Sequence, residues 1–488
     1  MENVDMEVGG TLQILLDCKD KGQNLSGLHP PSIYIIPNSV RKISPDSFTP
    51  QVVSIGPLHR ENKTLQQFEE QKTMHLHHLL ERLNIGPQMA LDECLKKVNA
   101  SISRIRACYG HGETIANCKD AELAKMMVLD ACFILDFLFL SEEHEPFISR
   151  HVILEHAISR DLVLLENQIP FFVLQDIFDC TISKLQPRTL IHGVLERLCM
   201  LSPFKGNNYV LDTTQPHHIL GLLQQSFHPS PSPNPNPSKS THPLSLEMPN
   251  HASMERGNSC ERGTTCWARL GARPKPHHVA AHALNGQGSG VLQLLDIPNH
   301  SALELDKAGV KFKPNSEDAN NYWPLDIGFS STSIECFRWC WGDRTLRMPT
   351  FCIDDNTELF LRNVIAYEQC TPDVPDYVTS YVSAIDMLLD TKEDLSKLVE
   401  SHVLRNHLGS NKEATKMLNN ISKQFVFKEF YYTEQWSRLH RYYESYVPKN
   451  IALLKRTYFS SPWSIIALLA GIILFTLAIF QTVLRIIK

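Results

Sequence analysis

Three acids stand where acids are costly. Asp130 and Asp136 interrupt the apolar run Met126–Leu140, and Glu166 interrupts the run Leu162–Phe178. An unpaired charge in an apolar core is expensive, so each acid needs a partner or a task. As a set they could serve as general acid and base with raised pKa values, the chemistry of a hydrolase or transferase. More often such acids pair with a buried Arg or Lys, or cap a helix. No nucleophile or metal cluster accompanies them in the sequence, which favours the structural role.

Other chemistry-bearing residues are weaker candidates. His75, His77 and His78 fall in a helical pattern that puts His75 and His78 on one face, where two could ligate a metal. No further ligand is specified, so an ordinary helix face is expected. Cys260, Cys266, His277, His278 and His282 match no zinc-module spacing. The run GQGSG at Gly286–Gly290 lacks the GxGxxG spacing and has no strand before it. There is no GxSxG elbow, P-loop or HExxH. No catalytic, cofactor-binding or metal residue is assigned, no cofactor is expected, and the reading is of a chain that is not an enzyme.

The elements that would hold these residues are mostly helical. Thr64 with Gln67 has the spacing of a capping box, ahead of Phe68, Leu76, Leu79 and Leu83 on one face. Leu123–Leu140 and Leu162–Phe178 are apolar enough to be central helices, with Pro170 starting or kinking one. Thr391 with Asp394, and Ser410 with Glu413, mark two further helix starts. Ile33–Ile36 and Val52–Ile55 read as short extended pieces, as do stretches near Ile334 and Phe351–Ile353. Seven prolines between 228 and 249 mark a segment that cannot bury enough apolar surface to offset ordering. The expected division is a tail at 1–30, a first half of the helical domain at 31–227, a Pro-rich loop at 228–298 and a second half at 299–450. The chain has 488 residues, 43% hydrophobic and 20% charged, enough for a substantial core. A net charge of −6 without a basic stripe gives nucleic-acid binding no support. Thirteen cysteines, without a small-domain disulfide framework, are expected to be mostly reduced and buried. Five N-x-S/T sequons, at Asn24, Asn62, Asn99, Asn299 and Asn420, do not settle the compartment.

Between Arg456 and Arg485 there is no charged residue, and Trp463–Leu484 reads WSIIALLAGIILFTLAIFQTVL. Twenty-two residues would make about 33 Å of helix, against a hydrocarbon core of about 30 Å. A single transmembrane helix is therefore expected at 463–484, with the lipid bilayer as its partner. The acidic start (Glu2, Asp5, Glu7) and the excess of Lys449, Lys455 and Arg456 over Arg485 and Lys488 point to a cytosolic N-terminal domain. The expected fold is mainly α: a large helical domain with a few short strands, plus that C-terminal transmembrane helix.

Several blocks together resemble the plant family known as domain of unknown function 247. They are IYIIPNSVRKISPDSFTPQVVSIGPLHR at Ile33–Arg60, MMVLDACFILDFL at Met126–Leu138 and DLVLLENQIPFFVLQDIF at Asp161–Phe178. SALELDKAGVKFK at Ser301–Lys313 and RMPTFCIDDNTELFLRNVIAYEQC at Arg347–Cys370 are similar to its second half, and the apolar ending to its C-terminal helix. The resemblance implies a single-pass plant membrane protein without an assigned activity, cofactor or site residue. Some grass members are implicated in pollen–stigma self-incompatibility, which suggests recognition or signalling through a protein partner. The long Pro-rich loop departs from the compact linker that the family leads one to expect.

Overall fold

The computed structural model describes residues 31–110, 113–140, 152–204, 215–229, 299–315, 323–331, 344–423, 430–444 and 462–487. The Pro-rich loop, the Cys260–His282 group, GQGSG and the stretch near Ile334 lie outside these residues. The first half contains α1 (Asn38–Arg41), α2 (Glu69–Glu81), α3 (Pro87–Ala100), α4 (Ile102–Cys108), α5 (Glu113–Asn117) and α6 (Asp120–Phe139). It continues with α7 (Val152–Asp161), α8 (Phe171–Cys180), α9 (Leu190–Leu198) and α10 (Ile219–Gln225). The second half runs α11 (Ala302–Lys307), β1 (Val310–Pro314), β2 (Gly328–Ser331), β3 (Arg344–Met348), β4 (Phe351–Ile353), α12 (Thr357–Cys370) and α13 (Tyr377–Leu388). It ends with α14 (Lys392–Glu400), β5 (Leu404–Asn406), α15 (Asn411–Ile421), α16 (Thr433–Glu444) and α17 (Pro462–Ile487).

Two helices are buried on nearly every side, and the rest are laid around them. Helix α6 buries every residue from Met126 to Leu138, as an all-round apolar pattern requires, and α2, α3, α8 and α9 pack on it. Helix α12 plays the same part in the second half, against α10, α13 and α15. One continuous apolar core runs from Ile33 to Leu439 and joins the two halves. In the smaller sheet β4 lies parallel to β5. In the larger, β3 is central, with β1 parallel on one side and β2 antiparallel on the other.

Several expected features are present. Pro170 caps α8 from just outside, where its missing N–H costs nothing. Thr391 and Asp394 form a complete capping box, and Ser410 accepts from the Glu413 amide. Ile353 ends a three-residue strand beginning at Phe351. The eight described cysteines are all free thiols, four of them buried.

Other expectations are corrected. Thr64 and Gln67 make no capping box: Asn62 Oδ1 captures both the Thr64 amide (3.1 Å) and hydroxyl (2.8 Å) in a local turn, and α2 starts only at Glu69. Leu162–Phe178 is helical only from Phe171, because residues 162–169 form buried turns whose polar side chains satisfy the backbone. Ile33–Ile36 gives a single bridge, Ile33 to Tyr109, and Val52–Ile55 forms no strand.

The largest correction concerns the C-terminus. The apolar stretch is helical, as α17, but among the described residues no helix is long and apolar enough to cross a membrane. The fold is mainly helical with a few short strands, and the transmembrane helix at 463–484 is withdrawn from it.

Candidate functional site

The three acids do not converge on one pocket. Each meets its own partners: Asp130 and Glu166 where segment 32–59 lies against the residues beneath it, and Asp136 between α6 and α2. Asp130 projects from α6 to Lys72 on α2, with Oδ1 2.7 Å from Nζ. Lys72 also reaches Glu69 Oε1 at 2.7 Å and the Ser54 carbonyl. The second Asp130 oxygen accepts the Gly56 amide at 2.8 Å. Burial pushes the Asp130 carboxyl up, and Lys72 draws it back. Gly56 has φ +71°, and a Cβ there would stand 2.6 Å from the Gln168 carbonyl oxygen, so only glycine presents its amide in this way.

Asp136, six residues further along α6, accepts from two histidines. His75 Nδ1 lies 2.6 Å from one oxygen and His78 Nδ1 2.7 Å from the other. With Asp136 ionised, both rings carry their proton on Nδ1 and donate it, which satisfies the carboxylate without a metal. Their shared helix face therefore serves a carboxylate, and no metal-holding group of three ligands exists among the described residues. Nor does any described hydroxyl or thiol hydrogen-bond to either ring.

Glu166 anchors the start of the irregular segment. Its Oε1 accepts from the Ile36 amide at 2.5 Å and from Arg41, and His59 Nε2 stands 2.9 Å from Oε2, out of hydrogen-bond alignment. Burial would raise this carboxyl, but His59, Arg41 and the Ile36 amide together hold it below its ordinary range.

The fuller pattern was missed in the sequence. Asp161 accepts from three consecutive amides, Gln51 at 2.9 Å, Val52 at 2.7 Å and Val53 at 2.8 Å. Burial lifts its carboxyl to about 6, against the pull of those amides. Asn167 accepts from the Ile55 amide and donates to the carbonyls of Val53 and Asp161. Asn363 on α12 donates to the Ser47 carbonyl and accepts from the Leu165 amide, binding the second half to the first. The available signal was the run of polar residues Glu166-Asn167-Gln168 between Leu165 and Ile169.

Glu368 does comparable work in the second half. It accepts from the amides of Val378 (3.0 Å) and Thr379 (2.8 Å) at the start of α13, and from the Thr379 hydroxyl and Gln224. Burial raises its carboxyl from 4.5 to about 7. Between those values the folded chain keeps a proton that the unfolded chain has released. The contribution is therefore full below about 4.5 and falls as pH rises to about 7, by roughly 3 kcal/mol. Asp161 has the same sign over a lower window, from 3.8 to about 6. Urea unfolding at steps between pH 4.5 and 7 is expected to show a shallower decline in Glu368→Gln than in the parent; equal slopes would contradict the assignment.

Chemically, Asp130, Asp161, Glu166 and Glu368 hold backbone in place, and Asp136 ties two histidines of α2 to α6. A separate small pocket is lined by Cys199, Ser202, Phe204, Leu223, Phe227 and Phe360, with none of the acids on it. A family model described as plant protein of unknown function, domain of unknown function 247, matches residues 33–477. A putative UPF0481 protein of Arabidopsis thaliana is 26% identical, over 92% of this chain and 89% of its own length. A second UPF0481 protein of Arabidopsis thaliana is also 26% identical, over 93% of this chain and 86% of its own. No solved structure matches.

Proposed function

Because the chain belongs to the plant family known as domain of unknown function 247, whose activity its name leaves open, we propose that it works as an interaction and recognition module in signalling. The observation that carries this reading is the apolar surface of α17. Among the described side chains, the large ones from Ile466 to Val483 stand open, with Leu474 67% and Phe475 68% exposed. Open apolar surface of that extent marks a contact element, here for a protein partner. The sealed carboxylates support the same reading, since an acid–base enzyme needs such groups to converge on an open pocket.

Cross-linking and affinity capture from plant extract, using the full chain, test it. One reproducible protein partner is expected, lost in the variant with Leu474→Ser and Phe475→Ser. Recovery of lipid alone, or capture that the double substitution leaves unchanged, would overturn the proposal.

A further inference from the structure

In a chain of net charge −6, the outer face of the three-stranded sheet is basic. The register sets Lys313 on β1 directly opposite Arg347 on β3, and Lys311 opposite Thr345 on the same face. Lys311, Lys313 and Arg347 are all exposed. The other face is core: Val310, Phe312, Leu346 and Met348 are buried, which fixes the backbone beneath the cations.

Like charges directly opposite one another on a sheet are destabilising. Among the described residues, neither Lys313 nor Arg347 has a carboxylate partner; Arg347 makes one long contact, from Nη1 to the Pro314 carbonyl at 3.5 Å. Asp326 comes to this end of the sheet, where its carbonyl accepts from the Asn315 side-chain amide at 2.8 Å. On the third strand, Gly328 stands opposite Arg347, and a Cβ there would meet nothing within 4 Å, so the flank of the arginine is open. Lysines on an edge strand are a common guard against edge-to-edge pairing, and that accounts for Lys311 and Lys313 on β1. It does not account for Arg347, which lies on the central strand.

We propose that Lys313 and Arg347 form a binding site for a phosphomonoester group. Strands about 4.8 Å apart set the two side chains so that one tetrahedral dianion can bridge them. The arginine fork takes two oxygens and the ammonium a third. Bound there, the dianion replaces a like-charge repulsion with two attractions. The group can come from a lipid headgroup or from free phosphate, and the shared chemistry is the same.

The test uses the full chain with two probes. One is inorganic phosphate, followed by calorimetry; the other is phosphatidylcholine vesicles carrying about one-fifth phosphatidic acid, followed by co-sedimentation at rising salt. The parent is expected to bind at least one probe, and the double variant Lys313→Gln, Arg347→Gln to bind it at least about tenfold more weakly. A charge-matched control, Lys412→Gln with Lys416→Gln, should bind like the parent, and urea unfolding should show both variants folded. Vesicle binding without phosphate binding assigns the headgroup; competition by free phosphate assigns the soluble source. No binding of either probe up to about 10 mM phosphate, or equal loss in the control, would overturn the proposal.

Discussion

Replacing Lys72 by methionine is expected to cost about 3–5 kcal/mol of folding stability, a large part of the roughly 5–15 kcal/mol that a domain commands. The loss does not measure the attraction between Lys72 and Asp130. It measures what is left behind: Asp130, 1% exposed, would have only the Gly56 amide to answer it, and must either stay charged there or take up a proton. The Ser54 carbonyl would lose its donor as well. Two companion variants separate these causes. Asp130→Asn in the Lys72→Met background removes the stranded charge while its side-chain oxygen can still accept from Gly56, so part of the loss should return. Lys96→Met, on an exposed lysine, should leave the urea midpoint unmoved. A Lys72→Met protein within about 1 kcal/mol of the parent would show that Asp130 has no need of its partner.

The second large effect is expected at Asp161. Substitution by alanine strands three consecutive amides, of which Val53 is fully buried and Gln51 and Val52 are nearer solvent. At about 1–3 kcal/mol for each unsatisfied buried donor, with the outer two partly rescued by water, the cost is about 3–5 kcal/mol. Asp161→Asn keeps one accepting oxygen and should fall between the parent and alanine. Denaturant unfolding of the three proteins gives the order; an alanine variant equal to the parent would remove Asp161 from the account.

Much of this arrangement was legible in outline and little of it in detail. The helix Asp120–Phe139 shows in the sequence because apolar residues fill every face of it, and Pro170 marks a helix start for a reason local to its own ring. Thr391 with Asp394 could be read because both halves of a capping box lie within four residues. The same spacing at Thr64 and Gln67 misled, since Asn62 offered the threonine a closer acceptor. That Asp130, Asp136 and Glu166 needed partners was clear from their apolar surroundings. Which partners they have was not, because Lys72 is 58 residues from Asp130, and the Ile36 amide 130 from Glu166. Asp161 and Asn167 were harder still. Their partners are backbone amides, which every residue but proline carries, so no residue type announces them.

Family membership and helical class agree with what the blocks of sequence implied, whereas the membrane-spanning reading of 463–484 does not carry into the fold. The central claim is that side chains, in place of a helix or sheet, satisfy the backbone of segment 51–56. Native-state hydrogen exchange tests it most directly. Val53, Ile55 and Gly56 belong to no helix or strand, yet their amides are expected to exchange as slowly as those in the middle of Asp120–Phe139. Exchange at the rate of an open loop would contradict the account.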